Sequence, residues 1–384
     1  MNPRVLQIPG SLIRQIAAKR RPDSIDLGLG EPTLMPTAAY LDAAMADVKT
    51  SGLRYSHNAG DAELRAAIAE HYGYPGMDRA ENVCVTTGSQ EAMYAVLKTL
   101  LDPATDELLV VEPAFPSYVK MAMLEGVAVR TVAMREEDDY AFDAERIVAA
   151  IRESTRAIVI CSPCNPTARV LRDADARALV AALERRGGEP VWLIHDEIYR
   201  EQTFVEDASE LARLYPHTIV TNSLSKSNAL TGLRIGWFAG PSDFVEQAIK
   251  THAWAVSCAD TFGQHVARHI FADPNGIREH AAWYAEHRAA VVAALRASGL
   301  RFAPVDGSFY ACVRLPEGRS SIDAAIALVE DENVVTIPGS AFGACFEGWL
   351  RLSWVAPIET VRAGIERVAA YCARGSTLEL RKRE

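Results

Sequence analysis

The sequence predicts an α/β fold in which the large domain holds a mostly parallel seven-stranded sheet flanked by helices, with a smaller α+β domain beside it. Short apolar, β-branched runs alternate with helical patterns from about residue 80 to 240. Such alternation requires crossover connections, which favour a parallel sheet covered on both faces. After residue 240 the pattern changes to long helices and then to a shorter mixed region. A chain of 384 residues is long enough for two lobes.

Seven segments carry the strand pattern of the large domain. They are 82–86, 107–111, 127–132, 156–161, 191–194, 218–222 and 235–239. The helix predicted between the first two strands has one apolar stripe, formed by Ala92, Met93, Val96, Leu97, Leu100 and Leu101. The last two strands are joined by a shorter link, so we expect one antiparallel strand at an edge of the sheet.

The C-terminal part of the chain indicates a second lobe. Two long helical patterns are followed by three apolar segments, GSFYACVRL, NVVTIPG and WLRLSWV. We expect a large domain over residues 40–280 and a small domain formed by residues 1–39 and 281–384.

Composition excludes several classes of function. The net charge of −10 argues against a nucleic-acid-binding surface. The N-terminus lacks the long apolar stretch of a signal peptide, and no apolar run has transmembrane length. Seven cysteines in such a chain indicate reduced thiols and a cytoplasmic protein. Cys161 and Cys164 have C-x-x-C spacing, but no second ligand pair follows, so we predict no metal site.

Polar and aromatic residues follow five of the predicted strands, at the edge where an open parallel sheet binds its ligands. The segments are TGSQ (87–90), EPAFPSY (112–118), SPCNPT (162–167), HDEIY (195–199) and SLSKS (223–227). The first is a glycine-containing turn that opens a helix, which suits a phosphate. Together the five segments bring an anion site, an aromatic ring, an amide, a carboxylate, a phenol and an amine to one edge.

These groups suit pyridoxal 5′-phosphate, which needs a phosphate cradle, a stacking face, an acid at its ring nitrogen, donors near its phenolate oxygen and a lysine. The chain resembles the fold-type-I pyridoxal-phosphate-dependent aminotransferases of the class I/II family. The similar motifs span nearly the whole chain: LGLGEPTLMP (27–36), YSHNAGDAELR (55–65), TTGSQEAM (86–93), EPAFPSY (112–118), NPT (165–167), DEIY (196–199), SLSKSNALTGLRIGW (223–237), PGSAFG (338–343) and RLSW (351–354).

The resemblance implies a role for each residue around the cofactor ring. Lys226 would form the Schiff base with the cofactor aldehyde and later carry a proton. Asp196 would keep the pyridine nitrogen protonated, and Tyr199 with Asn165 would bind the phenolate oxygen. Phe115 occupies the family's stacking position.

The resemblance also implies a phosphate site and a dimer. The phosphate would be held by Arg234, Ser223 and Ser225 together with the backbone of Gly88, Ser89 and Gln90. In the family, a tyrosine at the position of Tyr55 reaches the phosphate of the other subunit, which implies a homodimer with shared sites. A core tyrosine is the alternative interpretation of Tyr55.

Two positions concern the substrate, and one departs from the family. Arg351 would pair with the substrate α-carboxylate, near Gly30 and Asn165, because an arginine within an apolar strand is costly unless it is paired. The family usually has Asn-Pro-Thr-Gly, whereas Ala168 stands here in place of the glycine. If that position takes a positive φ, alanine strains the turn.

The function expected from the resemblance is transfer of an amino group from an L-amino acid to a 2-oxo acid. Gln90 is neutral where a related aspartate-using branch has a lysine, so this position does not support a dicarboxylate substrate, and Phe115, Tyr118 and Phe342 favour an apolar or aromatic side chain. A C–S lyase or similar elimination on the same scaffold, or a non-catalytic regulatory protein, stays open. A dinucleotide enzyme is disfavoured because no G-x-G-x-x-G follows the first strand.

Overall fold

The computed structural model describes residues 1–383, with side chains over residues 1–374. In chain order, the strands are β1 Ile25–Asp26, β2 Val83–Thr87, β3 Glu107–Glu112, β4 Ala128–Ala133, β5 Thr155–Cys161, β6 Trp192–Asp196, β7 Thr218–Ser223, β8 Ile235–Ala239, β9 Tyr310–Arg314, β10 Val334–Val335, β11 Ile337–Pro338 and β12 Trp349–Ser353. The seven predicted strands, β2 to β8, are all present, with ends that differ by two residues at most.

The helices alternate with β2 to β7 and then dominate the C-terminal part. They are α1 Pro3–Leu6, α2 Leu12–Ala17, α3 Ala38–Ser51, α4 Ala62–Tyr72, α5 Gly88–Leu100, α6 Ser117–Glu125, α7 Ala144–Ala150, α8 Asp173–Arg186, α9 Leu224–Ser227, α10 Ser242–Val256, α11 Thr261–Ala272, α12 Asn275–Ser298, α13 Ser321–Asp331 and α14 Ile358–Arg383.

The large sheet has the strand order β2-β8-β7-β6-β5-β3-β4. The order confirms a mostly parallel seven-stranded sheet, because only β8 runs against its neighbours. The expectation of an antiparallel strand at an edge is wrong in its position, since β8 lies between β7 and β2 and is antiparallel to both. The short link does make β7 and β8 antiparallel neighbours. The pairing of β8 with β2, however, joins segments far apart in the chain, which a local pattern does not reveal.

Both faces of the sheet are covered, and the alternation of side chains along each strand explains how. Leu108 and Val110 of β3 belong to a core cluster with the apolar stripe of α5. Leu109 and Val111 point to the opposite face and pack in a second cluster, which includes Leu179 of α8. Each strand therefore contributes to two cores, as expected for crossover helices on both faces.

A smaller antiparallel sheet, β11-β12-β9, lies in the C-terminal part. The N-terminal segment reaches this region, because β1 pairs in parallel with β10. Helix α12 runs without a break through residue 280, the predicted domain boundary, and the division into two domains stays a prediction. Among the described residues, no helix combines the length and the apolar character needed to cross a membrane.

Candidate active site

The topology brings the predicted site residues to one edge of the large sheet. Asp196 is the last residue of β6 and Ser223 the last residue of β7, and these strands are parallel neighbours. Because β8 is antiparallel, its first residue lies at the same edge, where Ile235 pairs with Thr87 and Gly236 with Ser223. The guanidinium of Arg234, just before β8, therefore belongs to the edge formed by the carboxyl ends of the other strands.

Lys226 lies on α9, a short helix that starts directly after β7. The Ser223 side chain caps this helix by accepting a hydrogen bond from the Ser225 amide at 3.1 Å. The Lys226 Nζ donates to the carbonyl oxygen of Gly30 at 2.6 Å. Burial and the nearby positive charge of Arg351 lower the pKa of Lys226 to about 8. The amine therefore loses its proton far more easily than an exposed lysine does.

Asp196 is buried and contacts Tyr118, the last residue of the segment EPAFPSY (112–118). The Tyr118 hydroxyl donates to Asp196 Oδ2 at 2.5 Å, and the Ile198 amide donates to Oδ1 at 3.3 Å. Burial raises the pKa of Asp196, and the Tyr118 hydrogen bond opposes that shift by stabilising the ionised carboxylate. From the sequence, Tyr118 is associated with the substrate side chain, whereas the structure places its hydroxyl in direct contact with Asp196.

Arg351 on β12 is a buried guanidinium in an aromatic setting. Its Nη1 donates to Asn165 Oδ1 at 3.0 Å, and its Nη2 donates to the carbonyl oxygen of Gly28. The guanidinium carbon lies 4.2 Å from the centroid of the Tyr310 ring. Nε has no hydrogen-bond partner, and no carboxylate among residues 1–374 forms an ion pair with Arg351. A buried cation without a counterion is suited to an anionic ligand.

Tyr310 is the residue of this region that sequence reasoning missed. Its hydroxyl lies 3.1 Å from the Tyr199 hydroxyl, and the two rings meet edge to face. A Cβ at Gly30 would come within 1.9 Å of the Tyr310 hydroxyl, so the glycine permits this packing. Tyr310 lies within the predicted segment GSFYACVRL, at the start of β9, and no spacing or motif signals it, because its contacts with Tyr199 and Arg351 join segments distant in the chain.

The turn between β2 and α5 approaches Arg234 closely. Gly88 has φ +76°, and a Cβ there would lie 2.4 Å from Arg234 Nη2. A Cβ at Gly236 would lie 2.5 Å from the Ser89 amide nitrogen, so both glycines are needed for the close approach. The first amides of α5 have no acceptor within the helix. Together with the guanidinium and the dipole of α5, they form an anion-binding arrangement.

The remaining predicted residues differ in how they lie. Phe115 is half-buried, with its ring 6.0 Å from that of Tyr118. Gln90 is exposed, and its Nε2 donates to Ser117 Oγ at 3.1 Å. Tyr55 is 88% exposed.

The turn after Asn-Pro-Thr has a positive φ at residue 168, where this chain has alanine and the family usually has glycine. Ala168 has φ +60° and is fully buried. Its amide donates to the Cys164 carbonyl oxygen at 3.0 Å, and its own carbonyl accepts from the Gly307 amide at 2.9 Å. A side chain is therefore held where glycine is favoured. No cluster of three or more His, Cys, Asp or Glu side chains within the described part of the chain is arranged to hold a metal ion.

Comparison with known proteins matches this geometry to one family. Residues 22–368 match the model for aminotransferase class I and II. The chain is 30% identical to a probable N-acetyl-LL-diaminopimelate aminotransferase of Bacillus subtilis, over 97% of this chain and 95% of that protein. It is 32% identical to an aspartate aminotransferase of Pyrococcus horikoshii, over 95% of each chain.

Solved structures lead to the same family. An aspartate aminotransferase of Thermus thermophilus with maleate superposes with a TM-score of 0.89 at 28% identity, covering 97% of this chain and 99% of that chain. An aromatic aminotransferase of Pyrococcus horikoshii has a TM-score of 0.85 at 28% identity, with 95% and 99% coverage. The fold is thus the aspartate-aminotransferase-like α/β fold of type I. The chain belongs to the class I and II aminotransferase family and is an enzyme that transfers amino groups.

Proposed function

We propose that this enzyme uses pyridoxal 5′-phosphate bound covalently through Lys226 and moves an amino group from an L-amino acid to a 2-oxo acid. The observation that carries the proposal is the combination of an amine with a lowered pKa and a buried guanidinium that forms no ion pair with the side chains of residues 1–374, at one edge of the sheet. The first provides the reactive nitrogen, and the second provides a partner for an α-carboxylate.

The residues at this edge fit the cofactor in their chemistry. The helix start at Gly88, together with Arg234, would hold the phosphate, assisted by Ser223 and Ser225. Phe115 would cover one face of the ring, Asp196 would pair with the ring nitrogen, and Asn165 with Tyr199 would bind the phenolate oxygen. When bound, pyridoxal phosphate supplies an aldehyde for a covalent bond with an amine and a ring that takes up the electron pair of the substrate α-carbon.

The side chains of this protein perform the remaining tasks. Lys226, whose pKa is lowered to about 8, would carry a proton between the substrate α-carbon and the cofactor carbon. Arg351 binds the α-carboxylate and fixes the orientation of the substrate by two parallel hydrogen bonds. The Asp196 carboxylate, kept ionised with the help of Tyr118, stabilises a proton on the ring nitrogen.

We propose an amino donor with an apolar or aromatic side chain. Gln90 is neutral and hydrogen-bonded to Ser117, so it offers no positive charge to a second carboxylate. Phe115 supplies apolar surface beside Tyr118, and Phe342 supplies it beside Arg351. Tyr118 is buried with its hydroxyl committed to Asp196, and we no longer assign it to the substrate side chain.

We further propose a two-fold homodimer in which Tyr55 of each subunit completes the phosphate site of the other. Tyr55 and Trp254 are 88% and 92% exposed, and Leu53 beside them is 63% exposed. The two segments are held together by a hydrogen bond of 2.7 Å from Asn58 Nδ2 to the Ser257 carbonyl oxygen. An exposed apolar surface of this kind favours burial against a second copy. The large domain of this dimer would span residues 40–280 and the small domain the remainder.

Borohydride reduction followed by peptide mapping tests the covalent assignment. We expect the reduced cofactor on the peptide that contains Lys226, and a Lys226→Ala variant should lose turnover while it keeps part of its cofactor through the phosphate site. Lys250, an exposed lysine on α10, provides the control variant Lys250→Ala with normal activity. Label on another lysine would contradict the proposal.

A panel of single amino acids tests the reaction. Each donor is mixed with the purified enzyme, and conversion of the cofactor is followed by its absorbance, with and without a 2-oxo acid acceptor. We expect apolar and aromatic donors to react and the cofactor to be regenerated only with an acceptor. Stoichiometric release of pyruvate and ammonia without an acceptor would contradict amino transfer and indicate elimination.

A further inference from the structure

We propose that Glu91 and His252 form a positioning pair that fixes the Thr87–Gln90 turn in the shape that binds the cofactor phosphate. This inference rests on the proposed function, because it concerns the same phosphate site. Glu91 lies in the first turn of α5, and His252 lies on α10, which packs against α5. Neither residue belongs to the groups that contact the phosphate directly.

The contacts form a chain from α10 to the turn. Glu91 Oε2 accepts a hydrogen bond from the Thr87 amide at 3.1 Å. The two carboxylate oxygens lie 3.0 and 3.1 Å from His252 Nδ1. The His252 side chain is completely buried, and its Nε2 has no hydrogen-bond partner in the part of the chain with described side chains. Because a carboxylate only accepts hydrogen bonds, Nδ1 carries the proton that faces Glu91.

The bond to Glu91 determines which amides stay available. An α-helix leaves its first N–H groups without partners, and here the Thr87 amide, which precedes α5, is taken by Glu91. The amides of Gly88, Ser89 and Gln90 are therefore the donors that remain for an anion. Glu91 acts like the glutamate of a capping box, which folds back onto the start of its own helix.

The turn is also held on its other sides. The Thr87 carbonyl oxygen accepts from Arg234 Nη2 at 3.4 Å, and the Thr86 hydroxyl donates to the Gly88 carbonyl oxygen at 3.0 Å. Gly88 itself has φ +76°, a conformation that needs support from its surroundings. Glu91 fixes the amide side of the Thr87 peptide, and Arg234 fixes the carbonyl of the same residue.

The negative charge of Glu91 lies close to the proposed phosphate site, so a partner is needed that keeps the carboxylate in place. His252 is that partner. A carboxylate in the first turn repels a phosphate bound at the helix start. The imidazole of His252, on the side of Glu91 away from the phosphate site, keeps this carboxylate in contact with the Thr87 amide. Without the imidazole, the partly buried carboxylate loses a hydrogen bond and we expect it to turn toward solvent, which frees the Thr87 peptide.

Ligand pairs that differ only in the phosphate test this inference. The affinities of the apoenzyme for pyridoxal 5′-phosphate and for pyridoxal are measured by absorbance titration in Glu91→Leu and His252→Leu variants. We expect both variants to bind the phosphorylated cofactor about tenfold more weakly, with no change for pyridoxal. A variant with a merely structural defect would weaken both ligands equally, and that result would overturn the inference, as would unchanged affinity for pyridoxal phosphate.

Conservative variants serve as matched controls. The carbonyl oxygen of Glu91→Gln can still accept from the Thr87 amide, and the amide nitrogen of His252→Asn can take the place of Nδ1. Both should bind pyridoxal phosphate within about threefold of the wild-type affinity. A tenfold loss in these variants would contradict a role through hydrogen bonding.

Hydrogen exchange in the wild-type apoenzyme gives a test that needs no variant. The bond from the Thr87 amide to Glu91 predicts slow exchange at residue 87 before cofactor is added, and rapid exchange there would overturn the inference. A different result would contradict the proposed phosphate site itself. If the wild-type enzyme binds pyridoxal phosphate no more tightly than pyridoxal, the phosphate site is misassigned.

Discussion

Residue 168 holds a side chain where glycine is favoured, which gives a prediction at the scale of a single residue. An L-residue with φ +60° is disfavoured relative to glycine by about 1–2 kcal/mol. Glycine offsets part of this difference, because it gives the unfolded chain more conformational freedom. We expect Ala168→Gly to raise the free energy of unfolding by about 1 kcal/mol, measured with urea. Ala178→Gly, at an exposed position within α8, should lower it by about the same amount. Loss of stability in Ala168→Gly would contradict strain at this turn.

The lowered pKa of Lys226 predicts how stability depends on pH. In the folded protein this pKa is about 8, whereas its ordinary value is 10.5. Between these values the unfolded chain binds more protons than the folded chain, so this group contributes increasing stability as pH rises from about 8 to 10.5. The free energy of unfolding of the apoenzyme, minus that of a Lys226→Met variant, should therefore increase over this range. A difference that is flat with pH would show that the pKa is not lowered.

At the scale of elements, strand β6 separates the site from a buried polar cluster. Asp196 points to the site, while His195 and Glu197 on either side of it belong to the opposite face. The Tyr74 hydroxyl donates to Glu197, and Arg200 Nη1 lies 3.1 Å from the same carboxylate. Burial opposes ionisation, but His195 and Arg200 lower the pKa of Glu197 to about 2. This cluster holds the segment that carries both Asp196 and Tyr199.

A change of charge in this cluster should be costly. We expect Glu197→Gln to destabilise the protein by about 3 kcal/mol, because it takes the carboxylate away from the buried His195 and leaves Arg200 with Glu210 as its remaining ion-pair partner. The exposed Glu206 provides the control Glu206→Gln, which should change the free energy of unfolding by less than about 0.5 kcal/mol. Urea unfolding of both variants measures the difference. Equal stability of the two variants would contradict a structural role for the cluster.

The elements also show what could be predicted from the sequence. Strands β2 to β8 were found because their apolar runs alternate with helical patterns, which are local signals. The interior position of β8 was missed, since its pairing with β2 depends on contacts distant in the chain. The contacts of Tyr310 and His252 were missed for the same reason. The placement of Lys226 and Asp196 at one edge could be predicted, because residues that follow neighbouring parallel strands lie at the same edge of the sheet, while their roles stay a prediction.

At the scale of the whole molecule, the proposed dimer predicts complementation between inactive subunits. A Lys226→Ala subunit retains Tyr55, and a Tyr55→Ala subunit retains Lys226. If each tyrosine serves the site of the other subunit, a hybrid of the two contains one intact site. We expect hybrid dimers, purified through two different tags, to show about half the wild-type activity. Activity no higher than the mean of the two parent dimers would contradict shared sites.

A second hybrid provides the control. We assign Arg234 and Lys226 to the site of their own subunit, so a hybrid of Lys226→Ala with Arg234→Ala should damage both sites. This hybrid should recover no activity above that of its parents. Recovery in the first hybrid, but not in the second, would separate a residue supplied across the interface from one that acts within its own subunit.

The connection between the antiparallel strands β7 and β8 carries both the Lys226 amine and the Arg234 guanidinium. Residues 224–234 leave the sheet with the amine and return to it with the guanidinium. Each end of the connection adjoins a strand of the sheet, so the number of residues in it sets the spacing between the amine proposed to react and the guanidinium proposed to bind the phosphate. Lengthening or shortening this connection by a single residue would displace one group relative to the other. The connections at the opposite edge of the sheet do not set the distance between these two groups.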